Sequence, residues 1–167
     1  MKRTTHVVAL AFLTAACSQK VGQTVKREGQ PDIVVVSAED TAMNAAVFRA
    51  RGSLPQFKAA LASPPAGSSG FAVKVAFPYG SDNREHIWLL EPSFSNGQVS
   101  GVVNNEPEFV STIKLGQRVS QPEAQLSDWM YVREGVLQGG YTIRAALDSL
   151  SPAERESQVR AMGLRLE

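Results

Sequence analysis

The chain has 167 residues, with 17 basic and 16 acidic side chains and a net charge of +1. That length fits one domain, and a domain of this size buries ~70% of its unfolded surface, enough to fold without a metal or disulfide. A single cysteine excludes an internal disulfide, and the even charge balance gives no support for binding nucleic acid or for steering to anionic lipid.

At the start of the chain Lys2 and Arg3 precede an apolar run from Val7 to Leu13, and Thr14, Ala15 and Ala16 lead into Cys17. This is the layout of an export signal, and the run is too short to span a bilayer, which takes ~20 apolar residues. Leu13-Thr14-Ala15-Ala16-Cys17 resembles the lipobox of bacterial lipoproteins. The resemblance implies that residues 1–16 are a signal peptide and that Cys17, once exposed, carries acyl chains. One chain binds a membrane marginally and two or more bind it stably, so the expected partner is a membrane held through lipid on Cys17. Ser18 stands where Asp would favour the inner membrane, which directs the expectation to the periplasmic side of the outer membrane. The alternative is a secretory signal cut near Ala16, leaving a soluble periplasmic protein with a free thiol in an oxidising compartment. Removal of residues 1–16 leaves 15 basic against 16 acidic side chains.

Residues 17–35 read as the lipidated cysteine and a flexible tether, because 18–31 are mostly polar and keep no period. Fourteen such residues span ~20 Å, close to the membrane. Residues 36–167 read as the folded domain. Ser37-Ala38-Glu39-Asp40 has the capping Ser and early acids of a helix start. Met43, Val47, Ala50, Leu54, Phe57 and Leu61 then make one apolar stripe, which Gly52 and Pro55 divide into two helices. After a loop at Pro64–Gly70 the period drops to two: Phe71, Val73, Val75 and Phe77 alternate with Ala72, Lys74 and Ala76 as a strand. A second strand runs from about Glu85 to Phe94, and Asn96-Gly97 turns it into a third at Val99–Val103. Pro107 to Lys114 is predicted as a short helix, followed by strands near Arg118, at Leu126–Arg133 and at Val136–Gln138. Ser151-Pro152-Ala153-Glu154 opens a last helix that Gly163 ends. The expected fold is α+β: an antiparallel, partly barrel-like sheet flanked by N-terminal and C-terminal helices.

Four clusters stand out from this frame: Glu85-His86-Ile87-Trp88, Asn104-Asn105-Glu106-Pro107, Asp128-Trp129-Met130-Tyr131 and Gly139-Gly140-Tyr141-Thr142-Ile143-Arg144. Together they resemble the YegJ-like bacterial family, domain of unknown function 2314, over roughly residues 38–155. The resemblance implies a compact α+β domain and carries over no catalytic residues.

His86, with an ordinary imidazole pKa near neutrality, is a candidate general base or metal ligand, but no second His stands at helical spacing, and a sheet histidine bonded to a polar neighbour accounts for it better. Glu106 and Asp128 would serve acid–base hydrolysis if the fold held them ~5–10 Å apart. Their structural alternatives are an acid at a helix start and a strand-edge Asp bonding local backbone. Gly139 and Gly140 before a helix can present an anion-receptive nest that Arg144 completes; alternatively Arg144 forks onto Asp128 or Glu106. Trp129 and Tyr131, with Trp88 and Tyr141, either line a binding face or fill the core. No metal or cofactor is expected. The functional expectation is a non-catalytic envelope module that binds a small-molecule ligand or an envelope protein, with no nucleic-acid partner. The alternative is an envelope hydrolase using Glu106 and Asp128.

Overall fold

The computed structural model describes residues 24–27, 30–34 and 41–166. The expected signal peptide, Cys17 and the Ser37 cap lie outside these residues. Part of the segment read as tether is regular: β1 (Thr24–Arg27) pairs antiparallel with β2 (Gln30–Val34), setting Thr24 against Val34 and Val25 against Ile33. Those β-branched residues favour extended backbone, a signal that the polar composition around them hides.

The stripe of apolar residues becomes α1 (Thr41–Gly52) and α2 (Leu54–Ala62), broken where Gly52 and Pro55 predict. Ala50, Leu54 and Phe57 are its buried members, and Ala46, outside the stripe, is buried as well. Next come β3 (Ser68–Tyr79), β4 (Asn83–Ser95), β5 (Gln98–Val103) and β6 (Arg118–Pro122). A short 3-10 turn leads to β7 (Leu126–Arg133) and β8 (Val136–Gly139). The β4–β5 hairpin turns at Asn96 and Gly97 with φ of 49° and 72°, the left-handed pair that an Asn-Gly turn supplies. Two helices close the fold, α3 (Tyr141–Asp148) and α4 (Pro152–Met162). Ser151 and Glu154 cap α4 reciprocally, as their spacing predicts.

The six strands from β3 to β8 form one antiparallel sheet in the order β6-β5-β4-β3-β7-β8. The class is α+β, but the sheet is open and not barrel-like, because β6 and β8 end it without meeting. The β8 edge is covered by the segment after α4: the Leu137 amide donates to the Arg165 carbonyl (2.9 Å) and the Arg165 amide to the Gly135 carbonyl (2.8 Å). The core lies on one face of the sheet, where Ala50, Leu54 and Phe57 meet Val73, Val75, Ile87, Leu89, Val99, Leu126 and Trp129. Among the described residues no helix is long and apolar enough to cross a membrane.

The helix expected from Pro107 to Lys114 is absent; residues 104–117 form a loop. Its amides find a partner outside any helix. Glu85, at an inward position of β4 and 8% exposed, accepts the amides of Glu108 (2.8 Å), Phe109 (2.9 Å) and Val110 (3.0 Å). A carboxylate receiving three backbone donors replaces the first turn of bonds that a helix would make. Glu85→Gln is expected to destabilise the fold by about 2 kcal/mol. Amide hydrogen exchange should report it as lost protection at residues 108–110, ahead of the rest of the sheet.

Candidate functional site

The four clusters, far apart in the chain, are linked into one belt across the sheet. The Trp88 amide donates to Asn105 Oδ1 (3.1 Å), and the Asn104 amide donates to the Trp88 carbonyl (2.9 Å). Trp88 stands in register with Lys74, and Lys74 with Asp128. Asp128 continues the line to Tyr141 and Thr142 at the start of α3.

A bulge sets the chemistry of this belt. Val75 pairs with Leu126 while Lys74 pairs with Asp128, so β7 carries one residue more than β3 at that point. The extra residue resets the alternation of faces. Leu126 and Trp129 both pack in the core, and Ser127 and Asp128 turn to the opposite face, toward Lys74 and His86.

Asp128 is fully buried. Its carboxylate accepts the amides of Trp129 (2.8 Å), Tyr141 (3.1 Å) and Thr142 (2.8 Å), and the Thr142 hydroxyl (2.6 Å). Those four donors match the acceptor capacity of an ionised carboxylate. The amides of Gly139 and Gly140 do not form the nest expected of them: the donors are Tyr141 and Thr142, just beyond the glycine pair, with Trp129, and the anion they hold is the protein's own Asp128. Both glycines are left-handed, with φ of 68° and 62°, and the Gly140 amide donates to the Trp129 carbonyl (2.8 Å). Arg144 donates from Nε to the Gly139 carbonyl (3.0 Å) and from Nη2 to the Leu137 carbonyl (2.8 Å), which ties α3 back onto β8.

Lys74 lies beside this carboxylate, half-buried. Its Nζ donates to the Thr142 hydroxyl at 3.3 Å and sits 5.5 Å from the Trp88 ring centre. Burial lowers its pKa, with Asp128 opposing the change, and burial raises the pKa of Asp128 against the pull of Thr142, Lys74 and the Trp129 amide. Ser127, 1% exposed, places Oγ 2.8 Å from His86 Nδ1 and 3.2 Å from the Lys74 carbonyl. His86 is thus a sheet histidine with a polar neighbour, its ring reaching solvent at the other edge. Desolvation of its inner edge, followed by the charges of Lys74, Arg51 and Arg84, pushes its pKa down to about 4.

A folded-state pKa below the ordinary 6.5 means that the unfolded chain takes up the proton first as pH falls. Stability contributed by neutral His86 is present above pH 6.5 and is lost as pH falls toward about 4. Melting temperatures across that window should fall more steeply for the wild type than for His86→Asn, whose amide keeps a partner for Ser127.

Glu106 and Asp128 are not assembled as a pair. Glu106 is exposed on the loop after β5, and three strand spacings (about 14 Å) separate β5 from β7. Trp129 belongs to the core, 4% exposed, with Nε1 donating to the Ala50 carbonyl (3.0 Å) and its ring centre 5.2 Å from that of Phe57. Tyr131 stacks on Phe71 at 4.8 Å. Of the two alternatives for these rings, binding face or core, Trp129 and Tyr131 take the core, and Trp88 borders the outer face. Sequence reasoning passes over Lys74 and Ser127, and over the role of Glu85. Two of the three carry a signal: Lys74 stands between the small residues Ala72 and Ala76, and Glu85 occupies an inward position of an alternating strand.

The family model described as "Uncharacterized protein conserved in bacteria (DUF2314)" matches residues 40–166. The chain belongs to this family. The match runs past α4 to the segment that covers β8, so the DUF2314 unit includes the edge cover as well as the belt. Uncharacterized protein YegJ of Escherichia coli (strain K12) is 32% identical over 166 residues, which is 99% of this chain and 100% of YegJ. A protein of Neisseria meningitidis serogroup B, named "Putative ankyrin repeat protein NMB1133/NMB1171", is 36% identical over 95 residues. That alignment takes in 55% of this chain and 38% of the Neisseria protein. No solved structure matches the chain.

Proposed function

We propose that this chain is a cell-envelope lipoprotein, anchored through acyl chains on Cys17, whose DUF2314 domain binds a ligand or protein partner. The reading is carried by the division of labour on the sheet. The chemically capable groups Asp128 and Ser127 are enclosed and bonded within the fold, and Lys74, His86 and Trp88 border the outer face. Support for a binding role also comes from the Neisseria relative, where a similar region belongs to a longer chain named for ankyrin repeats, which are binding scaffolds.

Metabolic labelling with palmitate tests the anchor. The wild-type protein should take up label and sediment with membranes, and Cys17→Ala should do neither. Equal labelling of the two, or none of the wild type, would remove the lipoprotein from the proposal. Binding is tested separately, by melting-temperature shifts of the purified full chain with peptidoglycan fragments and envelope extracts. A shift that Trp88→Leu abolishes supports the module, and the absence of any shift counts against it.

A further inference from the structure

The outer face of β3 and β4 gathers positive charge around one imidazole. Alternation along β4 puts Arg84, His86 and Trp88 on that face, and register sets Lys74 beside Trp88 and Ala76 beside His86. Lys74 and His86 are diagonal neighbours, with Cβ atoms ~7–8 Å apart, and Ala76, in register with His86, leaves only a methyl on β3 at that position. Arg51, at the end of α1, donates from Nε to the Leu126 carbonyl at 2.8 Å, one residue from Ser127, and so adds a third cation. All three lie close enough to His86 to oppose its protonation.

Asp128 offsets Lys74, but the charges that act on His86 are all positive. Lys74, Arg51 and Arg84 form none of the ion pairs there, which join Lys58 to Glu123, Arg118 to Glu91, Arg155 to Asp148 and Arg160 to Glu156. Asp128 is the carboxylate next to Lys74, and its acceptor sites are filled by Trp129, Tyr141 and Thr142. Lys74 is half-buried and keeps donors to spare beyond its 3.3 Å bond to Thr142. Like charges held together at a partly desolvated surface repel unless an anion joins them.

We infer that Lys74, His86 and Arg84 form a site for an oxyanion, the carboxylate or phosphate group of a small ligand whose apolar body lies on Trp88. This rests on the binding-module reading and gives it a chemistry. Lys74 supplies a point charge and Arg84 a planar fork. His86, steadied at Nδ1 by Ser127, offers its outer nitrogen, which gains a proton as the anion arrives. Binding and proton uptake are therefore coupled, and affinity rises as pH falls from neutrality.

The test is a proton NMR titration of the His86 ring in the full chain, with sodium phosphate, sodium acetate and sodium chloride at equal ionic strength. Saturable shifts with phosphate or acetate beyond the chloride response, and an upward move of the His86 titration midpoint, are expected. A response to phosphate alone assigns a phosphate-bearing ligand, and one to acetate alone assigns a carboxylate. Lys74→Met and Arg84→Gln should each weaken binding about tenfold or more. Arg84 is exposed, so its variant keeps the test open if Lys74→Met fails to fold. Responses equal to chloride, or unchanged in Arg84→Gln and in folded Lys74→Met, overturn the inference. Envelope components that still shift the melting temperature in that case would sink the oxyanion site and leave the binding module standing.

Discussion

Asp128→Ala is expected to cost about 3–5 kcal/mol of stability, measured as a lowered urea midpoint with circular dichroism. The substitution strands three backbone amides and the Thr142 hydroxyl, all of which now point at one buried carboxylate. It also removes the negative charge beside half-buried Lys74. Asp128→Asn should lie between the two, because an amide keeps one acceptor oxygen and turns an NH2 group toward donors. The same variants decide what the carboxylate is for. A hydrolytic residue changed to Asn abolishes turnover while the melting temperature stays almost unchanged. A residue that holds α3 to the sheet shows the reverse, and the geometry favours that outcome.

Gly139→Ala should be as damaging, by about 3 kcal/mol or more, and is expected to prevent folding at elevated temperature. Two causes add. The residue has φ of 68°, where a Cβ costs roughly 1–2 kcal/mol. The new methyl would also stand 2.3 Å from the Trp129 carbonyl oxygen and 2.5 Å from its ring, neither of which can retreat from the core. Gly135→Ala is the control: its φ is 79°, but its nearest neighbour is the Arg165 side chain at 4.0 Å, so it carries the backbone cost alone. Equal effects of the two substitutions would show that the close approach at Trp129 is relieved by a small shift of β8.

The sequence disclosed most of the architecture because its signals are local. Periodicity placed the helices and strands, Asn96-Gly97 set a hairpin, and Ser151 with Glu154 set a cap. Pro107 to Lys114 carries the local signals of a helix but forms a loop, because the amides of residues 108–110 are satisfied by Glu85, some twenty residues earlier, and no local pattern records that bond. The site was legible in its parts and not in its assembly. Asp128, His86 and the glycine pair stood out by type, but their roles depend on a one-residue bulge in β7 that turns Ser127 and Asp128 to the same face. Lys74 was hidden by its ordinariness, an outward lysine in an alternating strand. Only the strand order, which seats it between Trp88 and Asp128, gives it significance.

The partners of Asp128 have a consequence in time. Apart from the neighbouring Trp129 amide, they lie 13 and 14 residues further along the chain, and β8 receives its cover from Arg165, later still. A nascent chain that has emerged only as far as β7 carries an acid it has no means of sheltering, beside a sheet margin that is still bare. It gains little from early collapse.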